Sequence, residues 1–188
     1  MARERVSRVS KSGRKPAPRE YKPRSGKSKS MRPSSGRAAK VEVSVFSLAE
    51  AAAEMLGGRD SIGFRVVSDA DMAKAVERGF AVKAIAALGK RGVTDEEIAN
   101  LIIKPRTLSH RREKRQKLTV EESDRAARVA RVMALAEKTF ANKDKADRWL
   151  HRNLNALDGR RPIDLVRTAA GARIVEDILA RIAWGAAA

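Results

Sequence analysis

NLNALDGRRPIDLVRTAAGARIVEDILARIAWG, residues 153–185, carries the most specific pattern in this chain. Leu157, Gly159 and Pro162 make a short connector in which Gly159 is free to take a positive φ just before a proline able to open a helix. Ile163, Leu165 and Val166 supply one apolar turn, which Thr168 and Gly171 are expected to break. Ile174, Val175, Ile178, Leu179 and Ile182 follow at helical spacing, with Arg173, Glu176, Asp177 and Arg181 elsewhere on the wheel. The chain is therefore expected to end in a helix with one charged side. By periodicity alone this is an ordinary last helix closing an all-α domain.

Composition limits what surrounds that helix. With 188 residues there is room for one domain with a tail or for two small helical units. Cysteine is absent, which removes disulfides and thiolate zinc sites and fits a reducing cytosol, and two histidines alone do not make a metal site. No apolar run reaches the roughly 18 residues needed to span a bilayer, and the basic N-terminus has no adjoining apolar core of signal-peptide length. A cytoplasmic protein without a membrane partner is expected.

The net charge of +18 is unevenly spread, because residues 1–40 hold 14 Lys or Arg against only Glu4 and Glu20, a local charge of +12. Four of the six prolines lie there too, with almost no large apolar side chains. Such a segment cannot bury enough surface to offset the entropy of ordering, so residues 1–45 are read as a disordered basic tail. It is either a flexible polycation that neutralises phosphates of DNA or RNA or a solubilising extension.

From Ser47 onward the pattern turns helical. Ser47 caps a helix through Leu48, Ala52, Met55 and Leu56 that Gly57 and Gly58 stop. Residues 59–67 suggest a short extended piece, too little for a sheet. Ser68 caps a helix with Met72, Ala73, Val76 and Phe80 as its stripe, and another helix runs from Val82 to Gly92 with Ile85 and Leu88 inward.

At Val93 a helix-turn-helix begins. Thr94 caps a first helix with Asp95, Glu96 and Glu97 in its opening turn, Glu97 completes a capping box, and Ile98, Leu101 and Ile102 face inward. Lys104-Pro105 forces a change of direction into a second helix over 105–114. Leu108 would anchor it, Arg106, Thr107, Ser109 and His110 are placed for base edges, and Lys104, Arg111, Arg112, Lys114, Arg115 and Lys117 for phosphates. The bland alternative is a basic solvated helix that touches no DNA.

Thr119 and Glu122 form a second capping box that opens a long helix towards Phe140, with a stripe of Val120, Ala127, Val129 or Ala130, Met133, Leu135, Ala136 and Phe140. This helix packs either within the monomer or across a dimer axis. Asn142 caps the next helix, with Ala146, Trp149 and Leu150 inward, Lys143, Lys145, Asp147 and Arg148 outward, and His151 near its end as a cap rather than a metal ligand. No catalytic constellation appears: there is no Gly-rich phosphate loop, no H-E-x-x-H and no nucleophile elbow, and an enzyme reading is rejected.

The ending Ala156, Leu157, Gly159, Pro162, Leu165, Thr168, Gly171, Val175, Leu179, Arg181, Ile182 and Gly185 resembles the toxin-binding domain of the Xre/MbcA/ParS antitoxins. The likeness extends back through Trp149 to the region of Gly79, and the R-T-L-S-x-R-R segment resembles the DNA-binding part of the same family, which usually has Gly where this chain has Ile102. Residues 1–45, the tail read from composition, lie outside it; for the rest it implies an all-α chain with an Xre-like helix-turn-helix domain over 46–119 and a toxin-binding helical domain over 120–188. It further implies a type II antitoxin that dimerises, represses its own operon and binds a RES-domain toxin acting on NAD, whose pocket antitoxins of this family block with their C-terminal end. Here that end is Arg181, Ile182, Trp184 and Gly185, and Arg173, Glu176 and Asp177 complete the candidate toxin-binding set. No cofactor, metal or small-molecule substrate is expected for the chain itself. Rival readings are a stand-alone transcription factor or nucleoid-associated protein and an RNA-associated basic protein led by its tail.

Overall fold

Most helices in this chain begin where a side-chain oxygen can take one of the first unpaired N–H groups. In the computed structural model, which describes residues 47–185, Ser47 accepts from the Glu50 N–H and opens α1 (Leu48–Met55). Gly57, at φ 89°, then admits one short helix, α2 (Gly58–Ile62). Ser68 caps α3 (Asp69–Arg78), and α4 (Lys83–Lys90) follows without a side-chain cap. Thr94 caps α5 (Asp95–Leu101), and Pro105 starts α6 (Pro105–Glu113) in its first turn, where a missing N–H costs nothing. Thr119 caps α7 (Val120–Phe140), Asn142 caps α8 (Lys143–His151), Pro162 opens α9 (Pro162–Leu165) and Thr168 caps α10 (Ala169–Ala183). Each side-chain cap is worth about 1 kcal/mol. Both expected capping boxes are complete, with the Glu97 and Glu122 carboxylates accepting the N–H of Thr94 and Thr119.

The fold is all-α, and among the described residues no strand forms. The long helix α7 is the internal axis, packed by α1, α3, α8 and α10, so it lies inside the monomer. Ala126, Ala130, Ala134 and Ala136 are buried on it and let neighbouring backbones approach closely. Phe80, Leu56, Leu88, Val129, Val132, Ile163, Val175 and Leu179 fill the spaces between. Trp149 packs its ring against Phe140 with centroids 5.8 Å apart, the anchoring role its sequence position suggests. No described helix is long and apolar enough to cross a membrane.

Several expectations need correction. Residues 58–62 are helical rather than extended, because the positive φ angles of Gly57 and Gly63 bracket a single turn that buries Ser61 and Ile62. In α3 only Ala75 is buried and Ala73 is exposed, whereas Phe80 is buried because the chain turns inward at Gly79. Val120, at the first position of α7, is exposed, and so is Ile174. Gly171 does not break a helix: it is the third residue of α10, and a Cβ there would lie 2.1 Å from the Leu165 carbonyl oxygen. The break between α9 and α10 is made by Thr168 alone. The basic tail expected over 1–45 lies outside the described residues.

Candidate functional site

Two exposed features carry the candidate chemistry, and the first is α6. Ile98, Leu101, Ile102 and Ile103 are buried, fixing α5 and the turn that follows it. Arg125 of α7 donates to the Ile102 carbonyl at 3.2 Å and holds that turn from below. From there α6 projects with no fully buried residue and with half-buried Leu108 as its inward anchor. Lys104, Arg106, Thr107, Ser109, His110, Arg112, Lys114 and Arg115 are all exposed, so the structure brings these candidate DNA-binding residues onto one projecting element.

Arg111 departs from that set. It lies three residues after Leu108 on the inward side, and its Nε sits 2.9 Å from a Glu122 carboxylate oxygen while Nη1 donates to the Lys117 carbonyl at 3.2 Å. Arg111 therefore ties the end of α6 to the cap of α7 instead of presenting its guanidinium to a phosphate. Glu122 is buried, so removing Arg111 would leave a buried carboxylate short of a partner. Lys117 is also engaged, through a bond from Nζ to the Arg78 carbonyl, and the Leu118 N–H donates to the Phe80 carbonyl at 2.9 Å. The result is a basic helix held at both ends.

A polar junction behind α5, which sequence reasoning missed, joins the two halves of the chain. One Glu97 oxygen closes the Thr94 capping box; the other meets His151 Nε2 at 3.1 Å and Arg161 Nη1 at 3.5 Å. His151 Nδ1 lies 2.8 Å from the Asp147 carbonyl, so the histidine bridges α8 to α5 rather than merely ending its own helix. Arg161 also pairs with Asp164 at 2.7 Å, which raises its pKa further. Among the described residues no group of three or more His, Asp or Glu is placed to hold a metal ion.

The second feature is the outer face of α10. Val175, Ile178 and Leu179 are buried and Ile182 is half-buried. Arg173, Ile174, Asp177, Arg181, Trp184 and Gly185 are exposed, and at 100° per residue Ile174, Asp177, Arg181 and Trp184 fall along one stripe. Trp184 is 89% exposed at the C-cap, a large apolar ring left in water at the end of a helix. Glu176 is not part of this stripe: it pairs with Arg131 at 3.1 Å, and Arg131 pairs in turn with Asp69 at 2.8 Å, so it braces α10 against α7 and α3.

Known proteins match both parts of the chain that carry these features. Residues 71–131 match the antitoxin Xre-like helix-turn-helix domain, and residues 135–185 match the antitoxin Xre/MbcA/ParS C-terminal toxin-binding domain. The chain is 38% identical over 120 residues to the antitoxin Xre of Pseudomonas putida, a span of 64% of this chain and 76% of that protein. It is 38% identical over 84 residues to the antitoxin Xre of Yersinia enterocolitica, covering 44% and 57% of the two chains. These relatives are named as antitoxins, not as enzymes. Both matched segments draw on α7, the first ending at residue 131 and the second starting at 135.

Proposed function

This chain belongs to the Xre antitoxin family, and we propose that it neutralises a RES-domain toxin that degrades NAD and represses its own operon. In this reading residues 46–119 bind operator DNA through α6 and residues 120–188 bind the toxin, with α7 serving both as the axis of the fold. The observation that carries toxin binding is Trp184, 89% exposed at the end of the segment that matches a toxin-binding domain. A free aromatic at a helix end buries a large area in a partner pocket with little chain to reorganise. The toxin class, and the covering of its active site by Arg181, Ile182, Trp184 and Gly185, rest on the likeness of the last thirty residues to RES-paired antitoxins. Arg173 and Asp177, exposed on the same helix, complete the surface.

The test is to purify the chain with the product of the adjacent toxin gene and follow NAD consumption. NAD loss is expected to stop on addition of the chain. Continued NAD loss alongside intact operator binding would favour a stand-alone regulator.

Operator recognition rests on the exposed first turns of α6. Arg106→Ala is expected to cost about 1–3 kcal/mol on a specific operator and to relax base preference at the contacted position. Unchanged operator affinity in a folded Arg106→Ala protein would remove α6 from the reading role. A homodimer is proposed because paired half-sites suit helix-turn-helix proteins.

The tail, with +12 over residues 1–40, is proposed to add sequence-independent attraction to DNA. Deleting it should leave the melting temperature nearly unchanged and flatten the salt dependence of DNA affinity. Identical salt slopes with and without the tail would mean that it never meets nucleic acid.

A further inference from the structure

A cleft of about 410 Å³ opens beside the far end of α6 from the base-reading residues. Its lining combines Ala81, Lys83 and Ala86 from around the start of α4 with Arg112, Arg115 and Lys117 from the end of α6 and the turn after it. Lys83, Arg112 and Arg115 are exposed, and among the described residues the side-chain bonds of this segment are made by Arg111 and Lys117. Like charges converging on one concave surface repel one another, and an anion seated among them relieves the repulsion.

The backbone there adds a second observation. Arg115 sits at φ 52°, with its N–H bonded to the Arg112 carbonyl and the Gln116 N–H bonded to the Arg111 carbonyl. That is a left-handed helix ending, a conformation glycine adopts with less strain than any residue bearing a Cβ. An arginine held in it puts a charged side chain in the lining of the cleft at a position whose backbone favours glycine.

Geometry relates the cleft to DNA. Nine residues make α6 about 13 Å long, and the major groove of B-DNA is about 12 Å wide. With Arg106 and its neighbours on base edges, the far end of α6 reaches the rim of the groove, where the phosphates of one strand run. We propose that this cleft is a seat for backbone phosphates of the operator, gripped by Lys83 and Arg115 and flanked by Arg112, so that α4 joins α6 in the DNA interface. The proposal rests on the reading of α6 as the DNA-binding helix, and its contribution is independent of base sequence.

The test uses the full chain, the operator and an unrelated duplex of equal length, with affinities measured across a salt series. Lys83→Gln and Arg115→Gly should each weaken binding to both duplexes by the same factor. Each should also lower the slope of log affinity against log salt by about 0.9. Arg115→Gly should do so with an unchanged or higher melting temperature, because glycine suits φ 52°. Unchanged slopes in both variants, while Arg106→Ala still loses operator preference, would overturn the seat and leave the reading of α6 standing. If Arg106→Ala also changed nothing, the DNA reading would fall together with the seat. Reduced toxin affinity with intact DNA binding would overturn it as well, by assigning the cleft to protein carboxylates.

Discussion

Truncation after Leu179 is expected to abolish protection from the toxin while operator binding survives. The residues that seat α10, Val175, Ile178 and Leu179, all precede the cut, and the helix-turn-helix match ends at residue 131. The cut removes Arg181, Trp184 and Gly185, which are exposed, and Ile182, which is half-buried. Because losing Ile182 also removes some core packing, a gentler change separates binding from folding. Trp184→Ala deletes a ring that touches little of its own chain, so the melting temperature should not move. Affinity for the toxin should fall by about 2–4 kcal/mol, the range for an aromatic anchor, or roughly 30- to 1,000-fold. Growth of cells co-expressing toxin with each version, alongside operator binding in vitro, reads both effects. Full rescue by the truncated chain would take the C-terminal end out of the mechanism; loss of both activities would make that end structural.

The legible parts of this chain are those whose physics spans three or four residues. Ser47, Ser68, Thr94, Thr119 and Asn142 all cap the helices their positions suggest, since a cap needs only an oxygen and an N–H three residues on. Pairings across the fold were not legible. Glu97 announces its capping box with one oxygen, but nothing local says that the other will meet His151 and Arg161, more than fifty residues away. Arg131 joins Asp69 and Glu176 in the same way, which withdraws Glu176 from the candidate toxin face. For Arg111 spacing did not decide. It stands three residues after the anchor Leu108, about 60° away on the wheel, while Arg112 stands four after it, about 40° away, so only the partner Glu122 across the fold separates them. Ile174 did carry a signal, because Val175, Ile178 and Leu179 already define a buried stripe that excludes it.

Gly171→Ala is expected to destabilise the protein by about 3 kcal/mol, the upper end of the usual cost of forcing a methyl into a packed site. Helix propensity alone points the other way, since alanine inside a helix is favoured over glycine by roughly 0.5–1 kcal/mol. Space decides the sign. A Cβ on Gly171 would stand 2.1 Å from the oxygen and 2.9 Å from the carbon of the Leu165 carbonyl, and backbone cannot swing aside as a flexible side chain would. Nor can the segment slide, because Leu165 and Val166 are buried and the Gly171 N–H is bonded to Thr168 Oγ1 at 3.0 Å. Relief requires α10 to shift against α9, which displaces the stripe bearing Arg181 and Trp184 along with the core residues of α10. Calorimetry should show the melting temperature down by roughly 6–12 °C for a fold of this size. Gly89→Ala is the control: that glycine lies exposed in the last turn of α4 with nothing within 4 Å of the added Cβ, so the same substitution there should stabilise by about 0.5 kcal/mol. A Gly171→Ala protein as stable as its parent would mean that the α9–α10 junction yields, and that glycine at this position serves no packing need.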